Sequence, residues 1–312
     1  MRGWLLAAVP AVVAGVVLVI GAGAADANFK GSNGLIAFDS WTGTSQDIGV
    51  FTPHGGAGPI MLTNTPDFSE QTPRWSRDGT KIVYMGHPQF GEQDRRDLTD
   101  IWVMDADGRN KTQLTNTPRR EEVPAWTSDG RIVFCGQAAD DLDNWDIYLM
   151  NADGSGLTRL TSSPAFDCWP SPAPSGQKLA FTSTQAGGVD IFTMKLDGTG
   201  LRRVTTGFKS DWSPSGNDIV FNRDDANGIG DVWMSHSDGT GLKQLTSTPQ
   251  TEAFPTWSPD GTKVVFGRVV TSGVFNIFSI DPVTGNEELL LADSPPTTYS
   301  VAYPSWQPGD RP

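Results

Sequence analysis

Side chains that commonly perform catalysis at neutral pH are scarce in this protein. Its 312 residues include three histidines and two cysteines. The sequence contains no Gly-x-Ser-x-Gly nucleophile turn, no His-Glu-x-x-His zinc motif and no phosphate-binding glycine loop after a strand. These absences argue against the common hydrolase, zinc-protease and nucleotide-binding classes.

Positive charge is also scarce. There are 23 Lys and Arg residues against 36 Asp and Glu residues, which gives a net charge of −13. Without a basic run, neither nucleic acid nor an anionic membrane is expected as a partner. The balance suits a soluble protein of the cell envelope or a secreted protein, and we expect a monomer.

Only one long apolar run occurs, from Trp4 to Ile20. Arg2 precedes it and the small residues Ala25-Asp26-Ala27 follow it, a pattern typical of a secretory signal peptide. The sequence therefore predicts a leader over residues 1–27, cleaved after Ala27, and a single domain over residues 28–312. An uncleaved leader that anchors the protein is the alternative, because ~17–20 apolar residues span a bilayer.

An internal repeat dominates the remaining sequence. Pro73-Arg74-Trp75-Ser76-Arg77-Asp78-Gly79-Thr80-Lys81 returns almost unchanged as Pro255-Thr256-Trp257-Ser258-Pro259-Asp260-Gly261-Thr262-Lys263. Weaker copies recur about every 40–50 residues, a period typical of radial or linear arrays. One column of the repeat holds Trp75, Trp126, Pro172, Trp212, Trp257 and Trp306. Because these aromatic residues recur at one position, we interpret them as packing between units rather than as a sugar-binding surface.

Each repeat unit is predicted to contain four short strands, named a to d. Strand a carries the Trp-Ser pair, and an Asp-Gly or Ser-Gly turn leads into the β-branched strand b. Strand c is an Asp-Ile-aromatic run such as Asp100-Ile101-Trp102 or Asp146-Ile147-Tyr148, and strand d is a Leu-Thr run such as Gln113-Leu114-Thr115. No sustained 3.6-residue apolar period follows the leader, so the fold class is all-β.

The two ends of the sequence predict a closed ring. Residues 34–39 resemble a strand b with no strand a before it, and Tyr303-Pro304-Ser305-Trp306 resembles a strand a with no strand b after it. Joined, they complete one split unit. Five intact units and this split one predict a six-bladed β-propeller of four-stranded blades, which leaves only short strand edges exposed.

The motif Pro-x-Trp-Ser-x-Asp-Gly-x-Lys, followed by Asp-Ile-aromatic-x-Met-x-x-Asp-Gly and Leu-Thr, resembles the repeat of TolB-type β-propellers. The resemblance covers nearly all of the sequence after residue 30. Only a few residues separate the leader from the first strand, so we expect this protein to lack the α/β domain that precedes the propeller in TolB. A role in the Tol–Pal system is therefore not inferred from this resemblance.

The two cysteines are predicted to lie near each other. Cys135 ends strand b of one blade, and Cys168 lies just before strand a of the next. Both positions are expected on the same face of the ring. An even pair in an oxidising compartment favours a disulfide between adjacent blades, and two separate buried thiols are the alternative.

Residues that break the repeat are the candidates for function, because loops on a rigid scaffold carry binding sites. The b–c loops and d–a connections share one face of the ring. Candidate binding residues of that face are Trp41, Arg95, Arg96, Glu122, Trp145, Asp167, Trp169 and Glu252. Two acidic loops offer a weak calcium site at Asp141, Asp143, Asp224 and Asp225, although the spaced terminal Glu of a calcium loop is missing. No other cofactor is expected.

Three functions are compatible with these features. The first is an exported, non-catalytic scaffold of the cell envelope that binds a protein, a peptide or a glycan. The second is a glycan lyase or hydrolase that uses carboxylates at the mouth of the channel, such as Glu122, Asp167 and Glu252. The third is an accessory docking or sensor domain for a separate hydrolase. The fold alone does not choose among them.

Overall fold

The computed structural model of the protein describes residues 33–41, 45–53, 55, 58–90, 93–94, 98–139, 141–271, 274–292 and 301–308. The predicted leader, 1–27, therefore lies outside the described residues. Within the described ranges the structure is built from β-strands and turns, with no α-helix and hence no helix that spans a membrane.

The described residues form twenty-five strands. In sequence order they are β1 (Asn33–Trp41), β2 (Gln46–Phe51), β3 (Ile60–Met61), β4 (Phe68–Trp75), β5 (Lys81–Phe90), β6 (Gln93–Asp94), β7 (Asp100–Asp105), β8 (Thr112–Gln113), β9 (Glu121–Trp126), β10 (Ile132–Gln137), β11 (Trp145–Met150), β12 (Thr158–Arg159), β13 (Asp167–Pro172), β14 (Lys178–Ser183), β15 (Asp190–Lys195), β16 (Arg202–Thr206), β17 (Phe208–Trp212), β18 (Asp218–Asp224), β19 (Gly230–His236), β20 (Lys243–Gln244), β21 (Glu252–Trp257), β22 (Val264–Thr271), β23 (Val274–Ile280), β24 (Glu287–Leu291) and β25 (Val301–Pro308).

These strands form six antiparallel sheets, which confirms the predicted six-bladed propeller. From the channel outward, blades 1 to 6 have the orders β25-β1-β2-β3, β4-β5-β7-β8, β9-β10-β11-β12, β13-β14-β15-β16, β17-β18-β19-β20 and β21-β22-β23-β24, and β6 pairs with β5 as an extra ribbon. Blade 1 is the predicted split blade, since β25 pairs with β1 and Trp306 lies opposite Ile36. The ring is closed by strands from opposite ends of the sequence.

The hydrophobic core is divided among the six interfaces between neighbouring blades. Each of six buried clusters combines side chains from two adjacent blades. The interface that closes the ring, for example, joins Ile36, Phe38 and Trp306 of blade 1 to Val265 and Ile277 of blade 6. The tryptophan column lies in these interfaces, where the indole N–H of Trp75 donates to Ser305 O at 3.2 Å. Its assignment to packing is confirmed.

The Trp-Ser-x-Asp-Gly motif forms a self-contained turn between strands a and b. In blade 2, the Asp78 carboxylate accepts hydrogen bonds from the Ser76 hydroxyl and the Thr80 N–H, at 2.6 and 3.0 Å. Gly79 has a φ of 65°, a conformation that is costly for residues with a side chain. The turn explains why the motif recurs, because its Ser and Asp side chains are engaged in hydrogen bonds within the turn.

The Asp-Ile and Leu-Thr columns are joined by a second repeated hydrogen-bond pattern. In blade 2, the Thr115 hydroxyl accepts from the Ile101 N–H at 2.9 Å and donates to the Asp100 carboxylate at 3.2 Å. Equivalent bonds link Thr161 to Asp146 in blade 3. Strand d is the outermost strand of its blade and pairs only with strand c. The threonine side chain adds hydrogen bonds that hold the end of strand d against strand c.

The antiparallel order defines two faces of the ring. The a–b turns and c–d turns lie on one face, which we call the turn face. The b–c loops and d–a connections lie on the other, which we call the mouth face. The inner strands β4, β9, β13, β17, β21 and β25 run from the mouth face to the turn face around the central channel.

Candidate functional site at the mouth of the channel

One residue in every inner strand has a left-handed backbone. These six residues lie three positions before the tryptophan column and have φ between 50° and 58°: Thr72, Val123, Trp169, Lys209, Phe254 and Tyr303. The pairing register shifts at this point in each blade, as a β-bulge requires. We call this ring of six residues the crown. A left-handed residue other than glycine costs about 1–3 kcal/mol, and such strain is concentrated at functional sites. The crown is therefore a candidate functional site.

Side chains from the preceding blade hold the crown in place. The Thr72 N–H donates to the Asp39 carboxylate at 2.8 Å, the Lys209 N–H to the Thr182 hydroxyl at 3.1 Å, and the Phe254 N–H to the Asn222 side-chain oxygen at 2.9 Å. Asp39, Thr182 and Asn222 occupy the same position of strand b in blades 1, 4 and 5. Burial raises the pKa of Asp39 to about 7, against the opposing effects of the Thr72 N–H and Arg74.

The predicted disulfide joins Cys135 to Cys168, with their Cα atoms 5.0 Å apart. Cys135 occupies the strand b position of Asp39, Thr182 and Asn222, and Cys168 immediately precedes the crown residue Trp169. Blade 3 is therefore tied to blade 4 covalently at the level where three of the other joints use a hydrogen bond.

Three of the six crown residues are aromatic, and two of their rings lie beside Lys209. The Lys209 Nζ atom lies 4.0 Å from the centroid of the Phe254 ring and 5.4 Å from that of Trp169. The Phe254 and Tyr303 rings are 3.8 Å apart. These crown side chains are half-buried. Burial lowers the pKa of Lys209 to about 8, although the nearby Asp224 carboxylate opposes that shift.

A row of aromatic rings extends the crown across the mouth face. Trp169 contacts Phe166 at 5.6 Å between centroids, and Phe166 contacts Trp145 at 6.0 Å. The Arg120 guanidinium lies 5.2 Å from the Trp145 centroid and also binds the Glu122 carboxylate. The structure thus brings together three candidate residues, Trp145, Trp169 and Glu122.

A second ring of side chains lines the channel near the turn face. It borders a cavity of about 40 Å³, room for about three water molecules. Arg74 and Asp211 belong to blades 2 and 5, which are opposite in a ring of six, and both line this cavity. Asp211 accepts hydrogen bonds from Ser171, Thr256 and the Trp257 N–H. Burial raises the pKa of Asp211, and Arg74 partly offsets this.

Acidic residues at the starts of the inner strands serve the joints between blades. Asp167 is buried and accepts from the Ser163 hydroxyl at 3.4 Å. Glu252 is buried and binds the Arg268 Nε at 2.7 Å and the Thr246 hydroxyl at 3.0 Å. Together with Glu122 these carboxylates lie in blades 3, 4 and 6, each with partners of its own.

Two pairs of buried carboxyl groups share a hydrogen bond, Glu121 with Asp100 and Glu252 with Asp231. Glu121 starts strand a of blade 3 and Asp100 starts strand c of blade 2, and their side chains are hydrogen-bonded to each other. Burial is the main cause that raises the pKa of Glu121 to about 7, and the Asp100 charge adds to it. The Glu121 and Asp100 side chains are both buried, which separates this pair from any substrate in the channel.

The other candidate residues that the structure describes are not part of the aromatic row formed by Trp169, Phe166 and Trp145. Trp41 ends β1 in blade 1 and is 38% exposed. Arg95 and Arg96 lie outside the described residues. The Asp141 carboxylate accepts from the Asp143 N–H at 3.0 Å, and the Asp225 carboxylate accepts from the Asn227 N–H at 2.7 Å. Asp224 is the last residue of β18, directly before Asp225. Among the residues that the structure describes, no group of three or more His, Cys, Asp or Glu side chains is arranged to hold a metal.

Sequence reasoning misses most of the crown, including Lys209, Phe254 and Tyr303. It places Trp169 at or near a connection, and the structure places this residue third in β13, at the bulge of that strand. One signal is present: proline follows the crown residue in five of the six blades, at Pro73, Pro124, Pro170, Pro255 and Pro304.

The fold and this channel define a six-bladed propeller with an aromatic ring at one mouth. The chain belongs to the family described as the TolB beta propeller domain, whose model matches residues 52–309. TolB from Acinetobacter baumannii is similar in structure, with a TM-score of 0.70, 18% identity, and coverage of 91% of this chain and 68% of that one. A putative TolB from Agrobacterium tumefaciens has a TM-score of 0.65 and 19% identity over 89% of this chain and 100% of its own.

A curated relative in sequence is an uncharacterized protein of Agrobacterium fabrum (strain C58). It is 29% identical over 133 residues, which are 42% of this chain and 41% of the relative. The match therefore spans less than half of the relative's length. The described residues of the present protein form the propeller and contain no α/β domain.

Proposed function

We propose that this protein is a non-catalytic binding scaffold that holds a segment of a partner protein at the mouth of its channel. The observation that carries the proposal is the row of half-buried rings Trp169, Phe166 and Trp145, which Lys209 links to the ring of Phe254. Aromatic side chains with partial exposure are typical anchors of protein interfaces. Two of these rings, Trp169 and Phe254, belong to the crown, whose strained backbone fixes their positions on a rigid ring.

The surroundings of the acidic residues favour a scaffold over a glycan hydrolase. A hydrolase needs two carboxyl groups that face a common substrate. Glu122, Asp167 and Glu252 are each held by polar groups of their own blade joints. We therefore assign these carboxylates to structure.

Export supports a role in the cell envelope. The leader pattern of residues 1–27 predicts secretion, and disulfides persist in oxidising compartments. If the leader is cleaved after Ala27, the mature protein begins at Asn28, and intact mass measurement of the exported protein tests this.

Photo-crosslinking tests the scaffold. A photoreactive phenylalanine analogue replaces Trp145 on the mouth face, and in a matched control it replaces Leu157, which is 49% exposed at the start of strand d in the same blade, near the turn face. We expect crosslinks to one or a few envelope proteins from position 145 and none of them from position 157. Equal crosslinking from both positions, or none from position 145, would contradict the proposal.

A further inference from the structure

The crown contains a cation that no carboxylate of the described residues contacts, although the Asp224 charge lies close enough to favour its ammonium form. Among the described residues, Lys209 Nζ has no hydrogen-bond acceptor and no carboxylate within ion-pair distance. Its immediate neighbours are the rings of Phe254, Trp169 and Phe208, at 4.0, 5.4 and 5.6 Å. Other basic side chains near the joints between blades do have anionic partners: Lys111 with Glu70, Arg120 with Glu122, Arg159 with Asp146, Arg203 with Asp190, and Arg268 with Glu252.

The rings satisfy this ammonium group only in part. A cation–π contact contributes about 0.5–1 kcal/mol at a partly exposed site. The three N–H bonds of an ammonium group still need acceptors, and removing them from water is costly without such acceptors. A ligand that brings a negatively charged acceptor into the crown therefore gains a charge-assisted hydrogen bond.

The opposite side of the crown contains a buried hydroxyl group. Thr72 lies in blade 2, across the ring from Lys209 in blade 5. Its Oγ1 atom is buried and has no hydrogen-bond partner. The adjacent crown residue is Val123, whose side chain is apolar. A ligand end with one anionic group and apolar flanks matches the lysine and the rings beside it.

We propose that the crown binds a carboxylate carried by an apolar segment of a protein, through Lys209. This inference rests on the proposed scaffold function and names what its mouth recognises. A single lysine provides a point charge, whereas phosphate is best matched by arginine forks or clusters. The net charge of −13 also disfavours ligands with several negative charges. The carboxylate belongs either to the C-terminus of the partner protein or to an acidic side group beside an apolar one.

Three defined peptides distinguish these sources in a binding titration with the full-length protein. The probes are acetyl-Gly-Ala-Ala-Phe with a free carboxylate, the same peptide as its amide, and acetyl-Gly-Ala-Glu-Phe amide. We expect at least one carboxylate peptide to bind about 10-fold or more tightly than the neutral amide, the gain typical of a charge-assisted hydrogen bond. Which of the two binds identifies the source of the carboxylate.

Two variants assign the preference to the crown. Lys209→Met keeps the length of the side chain and removes its charge, and we expect it to abolish the preference for the carboxylate. Lys178→Met removes a charge from an exposed position on β14 and should leave the preference unchanged. Removing a half-buried charge should not weaken the fold, so we expect the urea midpoint of Lys209→Met to be at least that of the wild type.

NMR of the protein carrying ¹³C at lysine Cε supplies a second readout. Saturation with the binding peptide should raise the pKa of Lys209 above about 8, because a bound carboxylate stabilises the ammonium form. A merely structural lysine would titrate as before.

The proposal is overturned if the acid and amide peptides bind equally, if none binds up to about 10 mM, or if Lys178→Met loses as much as Lys209→Met. Binding of trigalacturonate that depends on Lys209, with no peptide binding, would also overturn it in favour of a glycan. The crosslinking from position 145 is scored separately. If it persists in Lys209→Met while the peptides fail, the scaffold stands and the carboxylate site does not.

Discussion

At the scale of single residues, one pair of buried acids should set part of the pH response of stability. The folded protein holds a proton on the Glu121–Asp100 pair that the unfolded polypeptide releases, because the pKa of Glu121 is raised from 4.5 to about 7. Stability from this group is fully present below pH 4.5 and is lost as the pH rises toward 7. Glu121→Gln cannot ionise, so it should avoid this loss.

We therefore expect Glu121→Gln to gain about 2 kcal/mol of unfolding free energy relative to the wild type between pH 4.5 and pH 7.5. Urea denaturation across this range measures the difference. Glu122→Gln is the matched control, because its half-buried side chain binds Arg120 and has no carboxyl partner in the structure. A constant difference between Glu121→Gln and the wild type at all pH values would refute the shared proton.

At the scale of elements, the disulfide should stabilise the joint between blades 3 and 4. It closes a loop with a sequence separation of 33 residues. The loss of entropy in the unfolded state for such a loop is worth about 4 kcal/mol. Replacing both cysteines by alanine should lower the free energy of unfolding by that amount, as measured by urea denaturation.

The control for this pair is the wild-type protein in excess reductant, which should lose a similar amount of stability. Thr182→Ala tests the equivalent brace between blades 4 and 5, where only one hydrogen bond to Lys209 N–H is lost. It should cost about 1 kcal/mol. A double alanine variant as stable as the wild type would show that the bond adds nothing to the joint.

The strands and their order could be predicted because they depend on residue types that recur. Asp78 and Gly79 form the same turn as Asp260 and Gly261, and such a turn needs those residue types wherever it occurs. The disulfide followed from the same topology. These features are local or repeated, so each copy of the motif supports the structure predicted for the other copies.

The crown could not be predicted in this way. Its residues share a backbone conformation but no side-chain type, as Thr72, Lys209 and Phe254 illustrate. Their left-handed φ follows from the bulge in each inner strand, which is set by pairing and packing around the ring. The sequence pattern carries no direct signal for it except the proline that follows. Lys209 is also an ordinary surface residue by type, and its significance depends on the rings that the neighbouring blades bring to it.

At the scale of the whole molecule, the ring depends on contacts between strands from opposite ends of the sequence. Trp306 is 3% exposed and packs in the cluster that joins blade 1 to blade 6. Its partner Ile36 lies at the other end of the described residues. No covalent bond joins these ends among the described residues, so the pairing of β25 with β1 and the burial of apolar side chains hold the ring closed.

We expect Trp306→Ala to lower the free energy of unfolding by about 3–5 kcal/mol, the usual cost of removing a large buried aromatic side chain. An opened ring also exposes the edge of β1, so the variant should form larger species in size-exclusion chromatography at urea concentrations below its midpoint. Leu289→Ala is the control, because this residue of the outer strand β24 is 49% exposed and its removal should cost less than about 0.5 kcal/mol. If the two variants had equal midpoints, closure by the terminal strands would not be what limits the stability of this propeller.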